Sequence, residues 1–319
     1  MKELAWGIAA TGGIARTVGA VIAAEPGMRV AAVGSRELGR AAALAADLGA
    51  ERAYGSYAEL CAAPEVDAVF VATPHAQHLE VAEAAIAAGK AVLCEKPLTA
   101  KLAEAERMVA LARDAGVFLM EAMWMRFNPL IRRIVADERF GEIRSVQASF
   151  GFNRPYDPAD RLWNPATGGG ALLDLGVYPF ALAQLMLGEP EEMHLTGTLG
   201  PSGVDAEAGA LLTYRGGARA LLDTSLVSPM ANSAVIVGTE MRADLDAAFW
   251  APSRIVLTRP GHEPEEHLLG SADGGYQGEV REVRDALREG RTESAIMPLD
   301  DSLAVMRLLE EARHRLGAR

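Results

Sequence analysis

Three polar side chains in this chain of 319 residues have the types needed for proton transfer at a hydroxyl group. Lys96 follows an apolar run typical of a buried strand, and its ammonium group can stabilise negative charge on a reacting oxygen. Tyr178 follows a glycine-rich stretch, and a phenol becomes a useful acid–base when a nearby cation lowers its pKa from about 10. Asp174, one helical turn earlier, can orient Tyr178 or bind the substrate. The alternatives are a surface turn at Lys96 and a core aromatic at Tyr178.

A glycine-rich turn near the N-terminus predicts a site for the pyrophosphate of a dinucleotide. It lies between the first predicted strand and the first predicted helix, where backbone N–H groups and the helix dipole can receive phosphate oxygens. Ala10 occupies the place where the dinucleotide fingerprint has its first glycine, whereas Gly12 keeps the close-approach position. An ordinary strand-to-helix turn is the alternative. The predicted contacts in and before this turn are Gly7, Ala10, Thr11, Gly12, Gly13 and Ile14.

The end of the second predicted strand favours NADP, with NAD the less favoured cofactor. An NAD site commonly has an acidic residue about 20 positions after the glycine turn, where it binds the ribose 2′-hydroxyl. Here the strand runs into Ser35 and Arg36, and the first acid is Glu37. A guanidinium suits a 2′-phosphate because it binds phosphate oxygens through paired, charge-assisted hydrogen bonds. The cofactor-binding prediction therefore includes Ser35, Arg36 and Arg40, and the alternative is that Arg36 faces solvent.

The elements around these residues alternate between apolar strands and alanine-rich amphipathic helices up to about residue 122. This alternation predicts an α/β Rossmann domain with a parallel, doubly wound sheet. Ligands of such a sheet bind beyond the carboxyl ends of its strands. The predicted strands lie at 4–9, 29–34, 67–72, 91–94 and 117–120, and the predicted helices at 13–24, 39–48, 78–88 and 102–115.

From about Trp124, hairpin signals replace the helical crossovers. Turn residues such as those at 215–217 separate runs with strand character, which predicts an α+β domain with a large, mostly antiparallel open sheet. We expect a dinucleotide-binding domain at 1–123 and a substrate-binding and oligomerisation domain at 124–319, with the C-terminal helix able to pack back on the first domain. The predicted strands lie at 143–153, 193–199, 208–214, 218–227, 234–238 and 254–258, and the helices at 129–137, 277–288 and 300–315.

The composition excludes several classes of protein. Half of the residues are hydrophobic and the formal net charge is −12, which is globular composition and argues against nucleic acid or an anionic membrane as a partner. The two cysteines, Cys61 and Cys94, have no metal-ligand spacing and suggest a reducing compartment. The N-terminus lacks a signal-peptide pattern, and the longest apolar stretches, around 117–124, are shorter than the roughly 20 residues of a membrane span. We expect a cytoplasmic protein.

Several segments occur together in one order over nearly the whole chain. They are the glycine turn, Thr73-Pro74 with His78, Glu95-Lys96-Pro97, and the stretches 121–127, 168–179 and 297–303. In this combination the chain resembles the Gfo/Idh/MocA family of NAD(P)-dependent oxidoreductases. The likeness is greatest to the branch that holds the dimeric dihydrodiol dehydrogenases, the NADP-dependent xylose dehydrogenases and the glucose-fructose oxidoreductases.

The resemblance implies a role for each matching residue. The lysine of the Glu-Lys-Pro segment stabilises the reacting oxygen, and a tyrosine at the position of Tyr178 transfers the proton, whereas many other branches have histidine there. His78 is expected beside the nicotinamide ribose, with a plain helix-start role or, together with His75, a metal site as alternatives. The cofactor-binding set then adds Thr73, Pro74, His78, Glu95 and Lys96. The aromatic rings and the cation of Trp124, Arg126 and Phe127 suit a polyol or diol substrate, with core packing as the alternative for Trp124. The predicted substrate set also includes Asn153, Trp163, Asp174 and Tyr178.

The expected function is an NADP-dependent oxidoreductase that transfers hydride between the nicotinamide and a hydroxyl or carbonyl of a sugar, polyol or trans-dihydrodiol. Two alternatives remain open at this stage, a nicotinamide-dependent glycosidase and a non-catalytic NADP-binding sensor. The run at 218–227 places apolar residues on both faces of the sheet, with Leu221 opposite Leu222 and Leu226. By resemblance this sheet forms a homodimer or a tetramer, and no metal is expected.

Overall fold

A computed structural model describes residues 3–270 and 274–319. A parallel sheet in the first part of the chain confirms the predicted Rossmann domain. Its strands are β1 (Leu4–Ala9), β2 (Met28–Gly34), β3 (Arg52–Tyr54), β4 (Ala68–Val71), β5 (Ala91–Glu95) and β6 (Leu119–Ala122). The strand order is β3-β2-β1-β4-β5-β6. The order reverses between β1 and β4, and ligands of such sheets bind beyond the carboxyl ends of the strands at this point.

Five helices connect these strands. They are α1 (Gly13–Ala24), α2 (Leu38–Leu48), α3 (Tyr57–Ala62), α4 (His78–Ala87) and α5 (Leu102–Ala115). The sequence prediction missed β3 and α3, because elements of three and six residues are too short for hydrophobic periodicity to reveal. A capping signal marks α3, since the Ser56 hydroxyl accepts the Glu59 N–H at 3.2 Å.

The second sheet has eight strands and confirms the predicted mostly antiparallel architecture. They are β7 (Ile143–Gly151), β8 (Glu192–Leu199), β9 (Asp205–Thr213), β10 (Arg219–Ser225), β11 (Ala234–Gly238), β12 (Arg242–Leu245), β13 (Arg254–Thr258) and β14 (Glu265–Leu268). The order is β14-β13-β12-β11-β7-β10-β9-β8, and β7 pairs with β10 in parallel. The four-residue strands β12 and β14 were not predicted, because alternation over so few residues is a weak signal.

Among the described residues, four further α-helices follow β6 along the chain: α6 (Pro129–Ala136), α7 (Val177–Leu187), α8 (Gln277–Arg288) and α9 (Leu299–Leu316). The chain divides into two compact units. The first ends at Met123 and also includes Tyr276–Leu303, whereas the second begins at Trp124 and also includes Ala304–Arg319. The sequence prediction assigned all of 124–319 to the second domain. The structure instead groups α8 with the Rossmann sheet, where Arg281 donates to both carboxylate oxygens of Glu25, at 2.9 and 2.8 Å.

One apolar stretch is longer than the sequence prediction recognised. Pro165–Leu187 spans 23 residues and contains an 18-residue window with a mean hydropathy of 1.5, which is long and apolar enough for a membrane span. In the structure 83% of that window is buried inside the protein. The core helix of a globular unit has the same length and composition, and α7 has that position in the second unit.

Candidate active site

The glycine-rich turn leaves its backbone open for an anionic ligand. α1 begins at Gly13, and no side chain caps its N-terminus at Gly12. A Cβ atom added at Gly12 or Gly13 would meet no described atom within 4 Å, so the backbone there is approachable. An uncapped helix N-terminus with accessible N–H groups favours phosphate oxygens. This cradle fits the pyrophosphate of a nicotinamide dinucleotide.

Ala10 adopts the conformation that the fingerprint glycine normally supplies. Its φ is 107°, in the region that glycine favours, and its N–H donates to the Gly34 carbonyl at 3.0 Å. An alanine held there costs on the order of 1–3 kcal/mol. The turn therefore keeps its shape in spite of the substitution, and the bond to β2 helps to hold it.

Ser35 and Arg36 directly follow the last residue of β2, as the sequence analysis predicted. Ser35 is buried and its hydroxyl accepts the Glu37 N–H at 3.3 Å. Arg36 is exposed. Burial raises the pKa of Tyr57, at the start of α3, and the charge of Arg36 acts in the opposite direction. Arg40 forms an exposed ion pair with Glu37 at 3.1 Å, a type of contact that contributes little to stability. A guanidinium with an aromatic neighbour is thus available beyond the carboxyl end of β2.

His78 joins the loops that follow β4 and β5. Its side chain is fully buried, with Nε2 2.9 Å from the Thr73 carbonyl and Nδ1 3.1 Å from the Pro97 carbonyl. Burial lowers the pKa of His78, so the ring is neutral at neutral pH. His75 packs edge-on against it at 5.7 Å between ring centroids. Since both nitrogens of His78 face backbone carbonyls, this conformation suits a clamp between the two loops rather than a metal ligand.

Two acidic residues shape the loop that carries Lys96. Glu95 ends β5, and its carboxylate accepts the Lys96 N–H at 3.2 Å. Glu121, in β6, accepts the Leu98 N–H at 2.9 Å. The peptide bond between Lys96 and Pro97 is cis. The loop backbone is therefore fixed on several sides while the Lys96 side chain stays partly exposed.

A buried acid on α8 lies within electrostatic range of this loop, and the sequence prediction missed it. Glu279 has no exposed surface, and neither of its carboxyl oxygens has a hydrogen-bond partner among the described residues. Burial raises its pKa well above the ordinary value, and the charge of Glu95 raises it further. Burial and the charge of Glu95 also raise the pKa of Tyr276. The amphipathic pattern of α8 gave no sign of a buried carboxyl group, because it looked like a solvated face.

In the second unit, the predicted proton-transfer residue has a direct polar partner. The indole Nε1 of Trp124 donates to the hydroxyl of Tyr178 at 2.7 Å. Tyr178 is the second residue of α7, and Asp174 lies in a π-helical turn at Leu172–Gly176 just before that helix. Arg161 forms an ion pair with Asp174 at 2.8 Å. The structure thus brings Trp124, Asp174 and Tyr178 onto one region of the second unit.

An aromatic cluster surrounds Tyr178, and the sequence prediction missed two of its members. Phe150 and Trp250 stack with their ring centroids 3.8 Å apart and an interplanar angle of 21°. Tyr178 lies 5.9 Å from Phe150 and 5.8 Å from Trp250. Both rings are partly exposed, so they offer a flat apolar surface. Neither residue belonged to a recognisable motif, since β7 and the segment before β13 meet only in the folded unit.

Other predicted substrate residues occupy different environments. The Arg126 guanidinium is buried, with 2% of the residue exposed, and donates to Gln184 of α7. Trp163 is a core residue that packs with Leu162 and Leu175 and donates to the Pro155 carbonyl. Phe127 is buried in the turn after Trp124, whereas Asn153 is exposed beyond β7. Of the predicted set, Trp124, Asp174 and Tyr178 are the residues that the structure connects.

Comparisons with known proteins agree with this fold. Residues 4–123 match the family described as "Oxidoreductase family, NAD-binding Rossmann fold", and residues 130–244 match the "GFO/IDH/MocA C-terminal domain". The chain belongs to the GFO/IDH/MocA family, and it is an NAD(P)-binding oxidoreductase. The resemblance that the sequence motifs indicated is confirmed.

Individual relatives share nearly the full length. A trans-1,2-dihydrobenzene-1,2-diol dehydrogenase of Mus musculus is 38% identical, covering 98% of this chain and 97% of that protein. A 3-ketoreductase from Actinomadura kijaniata, solved in complex with NADP and TDP-benzene, is 32% identical, with a TM-score of 0.86 and 98% of both chains covered. An aldose-aldose oxidoreductase from Caulobacter crescentus, complexed with glycerol, is 25% identical with a TM-score of 0.89, covering 99% of this chain and 98% of that one.

Glu279→Gln tests the buried acid on α8. Because the pKa of Glu279 is raised in the folded state, folding takes up a proton, and wild-type stability falls as the pH rises above about 4.3, by up to about 1.4 kcal/mol per pH unit. Glutamine mimics the neutral acid. The gain in stability of Glu279→Gln should therefore grow from pH 5 to pH 8 in urea unfolding. Glu289→Gln, an exposed position just after the same helix, should show no such growth. A gain in stability that does not change with pH would contradict the raised pKa of Glu279.

Proposed function

We propose that this protein is an NADP-dependent oxidoreductase acting on a hydroxyl or carbonyl group of a sugar, polyol or trans-dihydrodiol. The observation that carries the proposal is the environment of Tyr178. Its hydroxyl accepts a hydrogen bond from Trp124 at 2.7 Å beside the stacked rings of Phe150 and Trp250. This is a phenol held in one orientation next to a surface that suits a ring-shaped substrate.

Tyr178 is proposed to exchange the proton of the substrate hydroxyl. A donor to its oxygen, Trp124, stabilises the negative charge that arises when the phenol gives up its proton. Lys96 is proposed to stabilise negative charge on the substrate oxygen. The nicotinamide, when bound, supplies the acceptor or donor of hydride. Asp174, ion-paired with Arg161, is proposed to bind a second polar group of the substrate.

Aromatic surface supports a cyclic substrate. The rings of Phe150 and Trp250 can pack against the apolar face of a cyclohexadiene diol or of a pyranose. Relatives of this chain include a trans-1,2-dihydrobenzene-1,2-diol dehydrogenase, a 3-ketoreductase and an aldose-aldose oxidoreductase, which are named for a cyclic diol, a ketone and a sugar. The proposed substrate class is therefore a ring with at least one secondary hydroxyl or its ketone.

We base the proposed preference for NADP on the chemistry of the residues that follow β2. Arg36 is exposed and near enough to Tyr57 for its charge to act on the pKa of that phenol, and Ser35 precedes it in the chain. The acid at Glu37 is engaged with Arg40. A ribose 2′-phosphate would meet a guanidinium here, whereas a free 2′-hydroxyl would meet no carboxylate at Ser35 or Arg36, the two positions that directly follow β2.

The outer face of the second sheet supports the proposed homodimer or tetramer. Leu221 of β10 and Leu211 of β9 are paired across the two strands and are 44% and 38% exposed. Val235 of β11 lies beyond β7 on the same sheet. The opposite face is buried at Leu222, so apolar side chains lie on both faces of β10. An exposed apolar patch on a sheet commonly marks an interface.

Lys96→Ala and Tyr178→Phe test the proposed chemistry. Each should lower kcat by roughly a hundredfold or more, the size expected for loss of one proton-transfer or charge-stabilising group, with NADP affinity nearly unchanged. The measurement is steady-state turnover with a cofactor titration by fluorescence. Lys101→Ala and Tyr214→Phe replace an exposed lysine and another buried tyrosine, and should keep turnover. Near wild-type turnover of either test variant would refute its role.

Arg36→Ala tests the cofactor preference. Loss of the guanidinium should weaken NADP binding at least about tenfold and leave NAD binding unchanged, because the charge-assisted bonds to the 2′-phosphate are lost. Calorimetric titration with both cofactors measures this. Arg107→Ala removes another exposed arginine of the first unit, on α5, and is the control. Unchanged NADP affinity in Arg36→Ala would overturn the preference.

Leu221→Glu tests the proposed interface. The wild type should behave as a dimer or tetramer in light scattering at micromolar concentration, and Leu221→Glu should shift it toward monomer because a charge would be buried at the contact. Leu268→Glu changes an exposed leucine of the edge strand β14 and should leave the mass unchanged. A monomeric wild type would contradict the proposal.

A further inference from the structure

The two candidate side chains of the second unit lie on one continuous helical segment. Asp174 belongs to the π-helical turn at Leu172–Gly176, and Tyr178 follows in the first turn of α7. A π turn is uncommon and has longer hydrogen-bonded loops than an α-helix. The position of Tyr178 therefore depends on what holds the start of this segment.

Asp205 holds that start. It is the first residue of β9 and has no exposed surface. Its Oδ2 accepts the N–H of Leu172, the first residue of the π turn, at 2.5 Å. The chain passes so close that a Cβ at Gly170 would overlap Oδ1, and the φ of Gly170 is 118°. The glycine allows the backbone to reach the carboxylate.

The groups around Asp205 compensate only part of the cost of burying its charge. Burial raises its pKa to about 6, while the N–H groups of Leu172 and Ala171 and the charge of Arg313 on α9 act in the opposite direction. Asp174, on the segment itself, is paired with Arg161. Oδ1 of Asp205 has no hydrogen-bond partner among the described residues. A buried carboxylate with an unsatisfied oxygen costs folding free energy, so a stabilising role alone explains it poorly.

We propose that Asp205 is a positioning residue for the reaction: its ionised carboxylate anchors the first turn of the segment that carries Asp174 and Tyr178. It acts on them through the Leu172 N–H. A charge-assisted hydrogen bond is about twice as strong as a neutral one, and an anion at a helix N-terminus is favourable. The inference rests on the proposed function, in which Tyr178 transfers a proton.

Asp205→Asn tests the proposal, because asparagine keeps an oxygen acceptor but lacks the charge. At pH 8 its kcat should be at least about fivefold below wild type, since small displacements of a reacting group lower the rate strongly, while NADP affinity stays unchanged. The wild-type kcat should fall toward that of the variant below about pH 6, where Asp205 takes up its proton. A variant with kcat within about twofold of wild type at pH 8 would overturn the proposal.

Asp137→Asn is the matched control. Asp137 also accepts a backbone N–H at the start of a helical turn, from Arg139 at 3.1 Å, but that turn carries no candidate residue. The kcat of Asp137→Asn should equal that of wild type.

If Asp205→Asn does not fold, Arg313→Gln tests the proposal instead. Removing this positive charge should move the acid limb of kcat to higher pH, and an unmoved limb would contradict the proposal.

A measurement without turnover separates this proposal from the proposed function. Amide hydrogen exchange at Leu172 should be at least about fivefold faster in Asp205→Asn than in wild type, because the charge-assisted bond is weakened. Absence of turnover in wild type under all conditions would defeat the proposed function alone. Equal exchange rates at Leu172 in the two proteins would defeat the anchoring role of Asp205.

Discussion

The buried imidazole of His78 is the contact on which the first half of the candidate site depends. It joins the carbonyl of Thr73, after β4, to the carbonyl of Pro97, after β5. Parallel strands end in separate loops, and hydrogen bonds between the strands do not fix those loops relative to each other. The neutral ring of His78 has one N–H, which it donates to one of these two carbonyl oxygens, and it lies within 3.1 Å of both, so it fills the space between the two loops. Glu121 adds a bond to the same loop from β6. The conformation of the chain around Lys96 follows from these contacts.

In the second unit a buried acid, Asp205, holds the segment that carries the candidate residues. Tyr178 and Asp174 lie on a helical segment whose first N–H group is bound by Asp205. Trp124 then fixes the hydroxyl of Tyr178 from the other end of the side chain. In both units a polar group far from any surface determines the position of a group that the proposed chemistry uses. Such contacts cost burial free energy, and hydrogen bonds to backbone groups offset it.

The sequence was sufficient to predict the location of those parts of the candidate site that directly follow a strand of the parallel sheet. The glycine turn, the end of β2 and the Glu-Lys-Pro segment follow strands in a parallel sheet, so periodicity and motif spacing predicted where they stand. The sequence was not sufficient to predict which side chains, distant along the chain, come into contact through tertiary packing. Phe150 and Trp250 are separated by one hundred positions and stack in the folded unit. Glu279 looked like a charge on a solvated helix, because its burial depends on how α8 packs in the first unit. The burial of Arg126 and its hydrogen bond to Gln184 likewise depend on tertiary packing and could not be read from the sequence.

The central claim is that this member of the GFO/IDH/MocA family oxidises or reduces a ring-shaped substrate with NADP. The most direct measurement follows nicotinamide absorbance in the wild-type protein, with NADP and with NAD, against aldoses, inositols and trans-dihydrodiols, and against the matching ketones in the reverse direction. We expect a stoichiometric change in the redox state of the cofactor with at least one of these substrate classes, and a faster change with NADP than with NAD. Tight NADP binding without any change in absorbance across the panel, or release of a glycosyl group without net reduction of the cofactor, would contradict it.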